Sequence, residues 1–226
     1  MTTSFSPPSA TFSIIAIDGP AASGKSTVAK LVARKLGSHF INSGSLYRAM
    51  TFAMLAKGID VSDTAAIAAA VGTADMTSGV ANGFSHVAVA GQKLEAELES
   101  SAVNAAVSKV ARVQEVRDEV VKQLRAFACN HSIVMEGRDI GSVVFPHTPW
   151  KFYIDANAEV RQQRRLAQGQ VDSVRDRDHA DSSRVSAPLV IPEGAEIIDS
   201  SYLTPEAVVD CLISSLQARA FPFPES

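Results

Sequence analysis

The chain has 226 residues, of which 46% are hydrophobic and 20% are charged, and its formal net charge is −3. This length suits one domain with insertions, and the mild negative charge argues against non-specific nucleic-acid binding. No apolar run is long enough to span a membrane, and the two distant cysteines, Cys129 and Cys211, are expected to be buried reduced thiols. Residues 1–11 lack a basic or apolar stretch, which predicts a disordered lead rather than a signal peptide.

A phosphate-binding loop follows the first predicted strand, 12–17. Its pattern is G-x-x-x-x-G-K-S, with Gly19, Gly24, Lys25 and Ser26 at the fixed positions, and a helical pattern follows. Glycines let backbone N–H groups turn toward a phosphate, and the helix N-terminus favours the same anion. Lys25 can reach the β- and γ-phosphates, and the Ser26 hydroxyl can ligate Mg²⁺. The predicted ATP-binding residues are Gly19, Pro20, Ala21, Ala22, Ser23, Gly24, Lys25, Ser26 and Thr27.

The next segments add a possible anion ligand and a small insert. A second strand, 39–41, leads through a serine-rich turn into a helix that carries Arg48. At the carboxyl end of a parallel strand, Arg48 is favoured as an anion ligand, with a solvated surface charge as the alternative. After an alanine-rich helix at 63–71, residues 76–98 alternate apolar and polar side chains, with turn signals at 78–79, 82–83 and 90–91. This pattern predicts a small antiparallel sheet that is not part of the main sheet.

The second half returns to an alternation of helices and strands. One long helix is predicted over 101–128, and the next strand, 132–135, runs directly into Arg138 and Asp139. Such a pair at the carboxyl edge of a parallel sheet indicates a ligand site, with a structural ion pair as the alternative. Strands at 150–154 and 195–199 and a last helix capped by Thr204 complete an α/β fold. We therefore predict a P-loop NTPase core with a five-stranded parallel sheet flanked by helices.

An arginine-rich block lies between the last two strands. A salt-bridged helix surface is the simpler interpretation of this block. However, few apolar residues anchor it, and planar guanidinium groups suit bidentate phosphate contacts, so a lid over a transferred phosphoryl group is favoured. The sequence has no guanine-reading N-K-x-D element, which argues against a GTPase. With Arg48 and Arg138 as a second anion site, we predict phosphoryl transfer between two phosphate-bearing molecules.

Five motifs make the sequence resemble the bacterial cytidylate kinases, a family of nucleoside monophosphate kinases. They are I-D-G-P-A-A-S-G-K-S at 17–26, N-S-G-S-L-Y-R at 42–48, V-S-K-V-A-x-x-x-x-V-R at 107–117, E-G-R-D-I-G-S-V-V-F-P at 136–146 and R-D-x-x-D-S-x-R-x-x-A-P-L at 177–189. The resemblance covers about 14–216. It implies an enzyme that transfers phosphate from ATP to CMP or dCMP with Mg²⁺, acting in pyrimidine metabolism as a cytoplasmic monomer that needs neither nucleic acid nor membrane.

The resemblance also assigns roles to particular residues. Ser43, Arg48 and Arg138 match residues that hold the CMP phosphate, and Ser108, Arg117 and Asp139 match those that read the cytosine edge. Asp181 matches a ribose ligand. The implied catalytic residues are Lys25, Arg138, Arg164, Arg177 and Arg184, the last two also contacting CMP. The implied organisation is a core at 12–75 and 99–226, a CMP-binding insert at 76–98 and a lid at about 164–184.

The sequence departs from the family pattern in three places. The segment between Arg165 and Arg177 is short, Glu99 stands where the family commonly has arginine, and Gln114–Glu115 replaces a P-x-V-R turn. None of these changes removes a residue assigned to phosphate or cytosine. Two alternatives remain: a related kinase acting on UMP or shikimate, and a regulatory protein that binds ATP and CMP without turnover.

Overall fold

The computed structural model describes residues 12–167 and 189–223. Five parallel strands form the centre of the sheet in the order β2-β6-β1-β7-β8. Within the described ranges the strands are β1 Ile14–Asp18, β2 His39–Asn42, β3 Met76–Ala81, β4 Phe84–Val89, β5 Gln92–Leu94, β6 Ile133–Gly137, β7 Trp150–Asp155 and β8 Glu196–Asp199. The predicted five-stranded parallel sheet is therefore confirmed.

Helices cover both faces of this sheet. They are α1 Lys25–Lys35, α2 Ser43–Ala56, α3 Thr64–Ala70, α4 Ser101–Val110, α5 Gln114–Phe127, α6 Ala158–Ala167 and α7 Pro205–Ala218. One apolar cluster joins α2, α3 and α5 to one face, and a second joins α1 and α7 to the other. Because β1 lies between two strands and two helical layers, Ile15, Ala16 and Ile17 are almost fully buried, which explains their continuous apolar run.

The insert differs from the prediction in how it is attached. Strands β3, β4 and β5 form the expected antiparallel meander, with positive φ at the turns 82–83 and 90–91. However, Phe40 of β2 pairs in parallel with Phe84 of β4, so the insert extends the edge of the main sheet. The prediction that it stands apart is wrong. The expected turn at 78–79 is also wrong, because both residues lie inside β3.

The predicted long helix at 101–128 is two helices, α4 and α5. Val113 adopts an extended conformation (φ −72°, ψ 126°) and separates them. No proline or glycine marks this break, and Val110, Val113 and Val116 are buried in the same core, so their spacing fits either arrangement. The break makes α5 a separate helix, which carries Arg117 in its first turns.

The cysteine prediction is wrong, because Cys129 and Cys211 are free thiols on the surface. Cys211 lies on the outer side of α7, whose inner side carries the buried Val208 and Leu212. Across the described part of the chain, every helix is too short or too polar to traverse a lipid bilayer. The predicted lead at 1–11 and most of the predicted lid, including Arg177, Asp181 and Arg184, lie outside the described residues.

Candidate active site

The phosphate-binding loop connects β1 to α1 and depends on two glycines. Gly19 has φ 151°, and a Cβ atom there would lie 2.1 Å from the backbone oxygen of Ile154 in β7. Gly24 has φ 88° and stands at the N-cap of α1. A side chain at Gly19 would collide with rigid backbone, and one at Gly24 would strain the helix start. The loop therefore passes close to the sheet and exposes the N-terminus of α1 to a phosphate group.

Lys25 and Ser26 form the first turn of α1 and face buried partners. The Lys25 ammonium group, on a side chain buried beneath the loop, donates to the Pro20 carbonyl at 2.9 Å. The Ser26 hydroxyl donates to Oε1 of Glu136 at 2.8 Å, and Glu136 is the last residue but one of β6, next to β1. A hydroxyl and a buried carboxylate give a hard divalent cation the oxygen ligands that it prefers. The described residues contain no group of three or more His, Cys, Asp or Glu that could hold a metal ion. The Ser26 hydroxyl and the Glu136 carboxylate are oxygen donors that would fit Mg²⁺, which usually keeps water and substrate phosphate oxygens among its ligands.

A cavity of about 320 Å³ extends from the outer side of the loop toward α7. Arg164 of α6 lines it and donates to the Ser200 carbonyl at 2.8 Å and to the Ala22 carbonyl at 3.5 Å. One turn earlier, the buried Arg161 donates to the Ala21 carbonyl at 3.4 Å. Because both guanidinium groups bind loop carbonyls, α6 fixes the backbone conformation of the loop. We call this space the donor cavity.

A second cavity, of about 270 Å³, lies on the other side of Lys25. It shares Ala22, Lys25 and Ser26 with the donor cavity, so the two spaces meet at these residues. We call it the acceptor cavity. Five of the predicted acceptor residues line it: Ser43, Arg48, Ser108, Arg138 and Asp139. The structure therefore brings together residues that are up to 96 positions apart in the sequence.

The predicted phosphate ligands occupy the edge of the acceptor cavity formed by β2, α2 and β6. The Ser43 hydroxyl, at the start of α2, donates to the backbone oxygen of Glu136 at 2.8 Å. Nη1 of Arg48 donates to the Leu98 carbonyl at 2.7 Å and to Oδ1 of Asn104 at 2.8 Å. Arg138 leaves the end of β6 directly after Gly137. The Arg48 side chain is 15% exposed and lines the cavity, so it is not a solvated surface charge; its role as an anion ligand remains a prediction.

Arg117 and Asp139 form a buried ion pair through Nη2 and Oδ2. Their side chains are 3% and 5% exposed, and the guanidinium also lies over the Tyr47 ring at 5.7 Å. Asp139 is among the described residues that line the acceptor cavity, whereas Arg117 is not. Nη1 of Arg117 is buried without a hydrogen-bond partner among the described residues. A buried donor without a partner is costly, so this atom is suited to a ligand acceptor.

Asp18 connects the end of β1 to the segment that follows Asp139. Its fully buried carboxylate ends β1 and accepts the N–H groups of Ile140 and Gly141, each at 2.7 Å. Burial raises the pKa of Asp18 to about 7, with a smaller contribution from Asp139, although the two N–H groups and Lys25 act in the opposite direction. The start of the phosphate-binding loop is therefore tied to the segment that carries Arg138 and Asp139.

Sequence reasoning missed three residues of this site: Asp18, Glu136 and Arg165. Arg165 is buried and lines the acceptor cavity, although only Arg164 was predicted. Glu136 had a usable signal, because it directly follows an apolar strand at the carboxyl edge of the sheet. Arg165 follows Arg161 by four positions, which places both on one side of α6. Asp18 follows an apolar strand in the same way, but nothing in the sequence indicates its partners, which are backbone N–H groups more than 120 positions away.

Comparisons with known proteins cover almost the whole chain. The family model described as cytidylate kinase matches residues 15–218. The chain is 39% identical over 214 residues to a cytidylate kinase of Clostridium botulinum (strain Loch Maree / Type A3), covering 90% of this chain and 97% of the relative. It is 40% identical over 220 residues to a cytidylate kinase of Pelotomaculum thermopropionicum, covering 92% of this chain and 97% of the relative. A gluconokinase from Sinorhizobium meliloti 1021 has a similar fold, with a TM-score of 0.51, 12% identity and coverage of 92% and 93%; this likeness concerns the fold alone.

Proposed function

The chain belongs to the cytidylate kinase family, and we propose that it transfers the γ-phosphoryl group of ATP to CMP or dCMP. The products are ADP and CDP or dCDP. The observation that carries this proposal is the meeting of two cavities at Lys25 and Ser26, each with its own cationic side chains. A triphosphate in one cavity and a monophosphate in the other would face each other across these residues.

The donor side would hold the phosphates of ATP. N–H groups of the loop and the N-terminus of α1 attract the phosphate oxygens, and Lys25 neutralises charge that develops on the transferred group. Ser26 and Glu136 would hold Mg²⁺, which supplies further neutralisation at the β- and γ-phosphates when bound. Arg161 and Arg164 keep the loop in the conformation that directs these groups.

The acceptor side would hold the phosphate of CMP with Ser43, Arg48 and Arg138. Arg165, which also lines this cavity, would add a further cationic group. Phosphoryl transfer needs the attacking oxygen and the γ-phosphorus to be close and in line, so these contacts position the nucleophile. Exclusion of water is also required, because water would otherwise accept the phosphoryl group. The assignment of Arg177 and Arg184 to a lid that contacts sugar or phosphate, and of Asp181 to the ribose, remains a prediction from the sequence.

Cytosine would be selected by Ser108, Arg117 and Asp139. The Asp139 carboxylate can accept from the exocyclic amine, and Nη1 of Arg117 and the Ser108 hydroxyl can donate to the N3 and O2 acceptors. Uracil carries a carbonyl in place of the amine and an N–H at N3, so it would face the carboxylate with an acceptor and the guanidinium with a donor. Such a mismatch leaves buried groups unpaired and reduces the rate with UMP.

Product analysis tests this proposal. Incubation of the purified chain with ATP, Mg²⁺ and CMP is expected to convert CMP to CDP in equal amount to the ADP formed. Omission of CMP should leave ATP intact, because the site is expected to exclude water as an alternative acceptor. ATP breakdown without CDP would contradict the assignment as a kinase.

We also predict that the protein is a monomer in the cytoplasm. Sedimentation analysis checks the oligomeric state, and localisation of a tagged chain checks the compartment.

A further inference from the structure

A carboxylate lies beside the guanidinium that is proposed to bind the acceptor phosphate. Glu99 is the last residue of the short helical turn Ala96–Glu99, at the end of the insert. Its Oε2 atom lies 3.5 Å from Nη1 of Arg48, and both side chains line the acceptor cavity. An anion at this position is unexpected in a cavity that must admit a phosphate dianion.

The position of Arg48 does not depend on the Glu99 side chain. Nη1 of Arg48 also donates to the Leu98 carbonyl at 2.7 Å and to Oδ1 of Asn104 at 2.8 Å, both shorter than the contact with Glu99. The amide group of Asn104 in turn donates to the backbone oxygen of Glu99 at 2.8 Å. These contacts involve no carboxylate of Glu99, so a neutral side chain there leaves the Arg48 contacts in place.

The two partners also differ in freedom to move. The Arg48 side chain is 15% exposed, whereas that of Glu99 is 61% exposed. A carboxylate with that much exposure can turn into solvent when another anion approaches. Its charge nevertheless remains close to the guanidinium, where it opposes the approach of a phosphate.

We propose that Glu99 is an affinity-setting residue of the acceptor site, which weakens phosphate binding by competing for Arg48. This inference rests on the proposed function, because it takes CMP as the acceptor. The pair is partly exposed and therefore screened, so the effect on CMP affinity is about 2- to 5-fold. CDP carries one more negative charge than CMP. Glu99 therefore weakens the binding of CDP more than the binding of CMP and favours release of the product.

Calorimetric titration of wild type and Glu99→Gln with CMP, CDP and cytidine tests the inference without turnover. Glutamine keeps the size of the side chain and removes its charge. We expect the dissociation constant for CMP to fall by about 2- to 5-fold, that for CDP to fall further, and that for cytidine to stay unchanged. Glu95→Gln is the matched control, because Glu95 lies in the same insert, pairs with Lys93 at 2.6 Å and does not line the acceptor cavity.

A second comparison tests whether the effect of Glu99→Gln on CMP affinity depends on Arg48. In an Arg48→Gln background the Glu99→Gln change is expected to have a clearly smaller effect on CMP affinity, because the group for which Glu99 competes is gone and only direct repulsion between carboxylate and phosphate remains. Unchanged or weaker CMP binding by Glu99→Gln, or equal tightening of CMP and cytidine, would overturn the inference. These outcomes are separate from failure of the proposed function, which would appear as wild-type protein that makes no CDP from CMP and ATP.

Discussion

Replacement of Asp139 by Asn tests both the buried ion pair and the proposed reading of cytosine. The change keeps the shape of the side chain but removes the negative charge that Arg117 faces. With side chains 3% and 5% exposed, water screens this pair little. Removal of one partner from such a pair leaves a buried charge without compensation, which typically lowers the free energy of unfolding by about 3–5 kcal/mol.

The same change should weaken the binding of CMP and leave the binding of ATP nearly unchanged. Asparagine can present its amide oxygen to the cytosine amine, but it no longer offers a charged acceptor. Loss of a hydrogen bond to a charged group costs about 1.5–3 kcal/mol, which corresponds to an increase of about 10- to 150-fold in KM for CMP. The KM for ATP should change by less than about 2-fold, because Asp139 lines the acceptor cavity and not the donor cavity.

The assay is steady-state ADP release at saturating ATP with CMP varied, together with urea unfolding of each variant. Asp118→Asn is the control, because Asp118 is an exposed neighbour of Arg117 on α5 that contacts Gln114 and does not line the acceptor cavity. The control should keep wild-type KM values and stability. A folded Asp139→Asn protein with an unchanged KM for CMP would remove Asp139 from the acceptor site and refute the reasoning.

Three further changes test other parts of the structure. Glu136→Gln should raise the Mg²⁺ concentration for half-maximal rate by about 10-fold or more, because it removes the negative charge of the carboxylate that Ser26 contacts. An unchanged Mg²⁺ dependence in rate assays would contradict this. The pKa of Asp18 is raised in the fold, so the native state binds a proton between about pH 4 and 7 and loses stability as the pH rises through that window. Relative to Asp18→Asn, the free energy of unfolding of wild type in urea should fall by roughly 2–3 kcal/mol between pH 5 and 8. Parallel pH profiles of the two proteins would contradict the assignment. Thr204→Ala should lower the free energy of unfolding by about 1 kcal/mol, because Thr204 accepts the N–H of Ala207 at the start of α7; an equal urea midpoint would show that the cap is not needed.

The sequence was sufficient where local chemistry decides the structure. The phosphate-binding loop could be predicted because Gly19 and Gly24 occupy backbone conformations that favour glycine. Strands β1 and β6 could be predicted because they are buried on both faces and therefore apolar along most of their length. The start of α7 could be predicted because Thr204 and Pro205 are favourable at the cap and at the first helical position.

The sequence was insufficient where distant contacts decide the structure. Val113 lies between α4 and α5, and no helix-breaking residue marks this place, so only the packing of the folded chain reveals the break. The single bridge between Phe40 and Phe84 joins the insert to the main sheet, and no local pattern encodes such a pairing. Asp18 and Glu136 acquire their roles from partners more than 100 positions away. Their local sequence gives the position in a strand but not the group that each side chain contacts.

The most direct test of the account is the acceptor specificity of wild-type protein. ADP release from ATP and Mg²⁺ should be measured with CMP, UMP and AMP in turn, and kcat/KM compared. The account predicts that CMP is preferred over UMP by at least about 100-fold, because uracil leaves buried hydrogen-bonding groups of Arg117 and Asp139 unpaired. Equal kcat/KM for CMP and UMP would contradict the proposed reading of cytosine. No CMP-dependent ADP release would contradict the central claim that the two cavities hold the substrates of a cytidylate kinase.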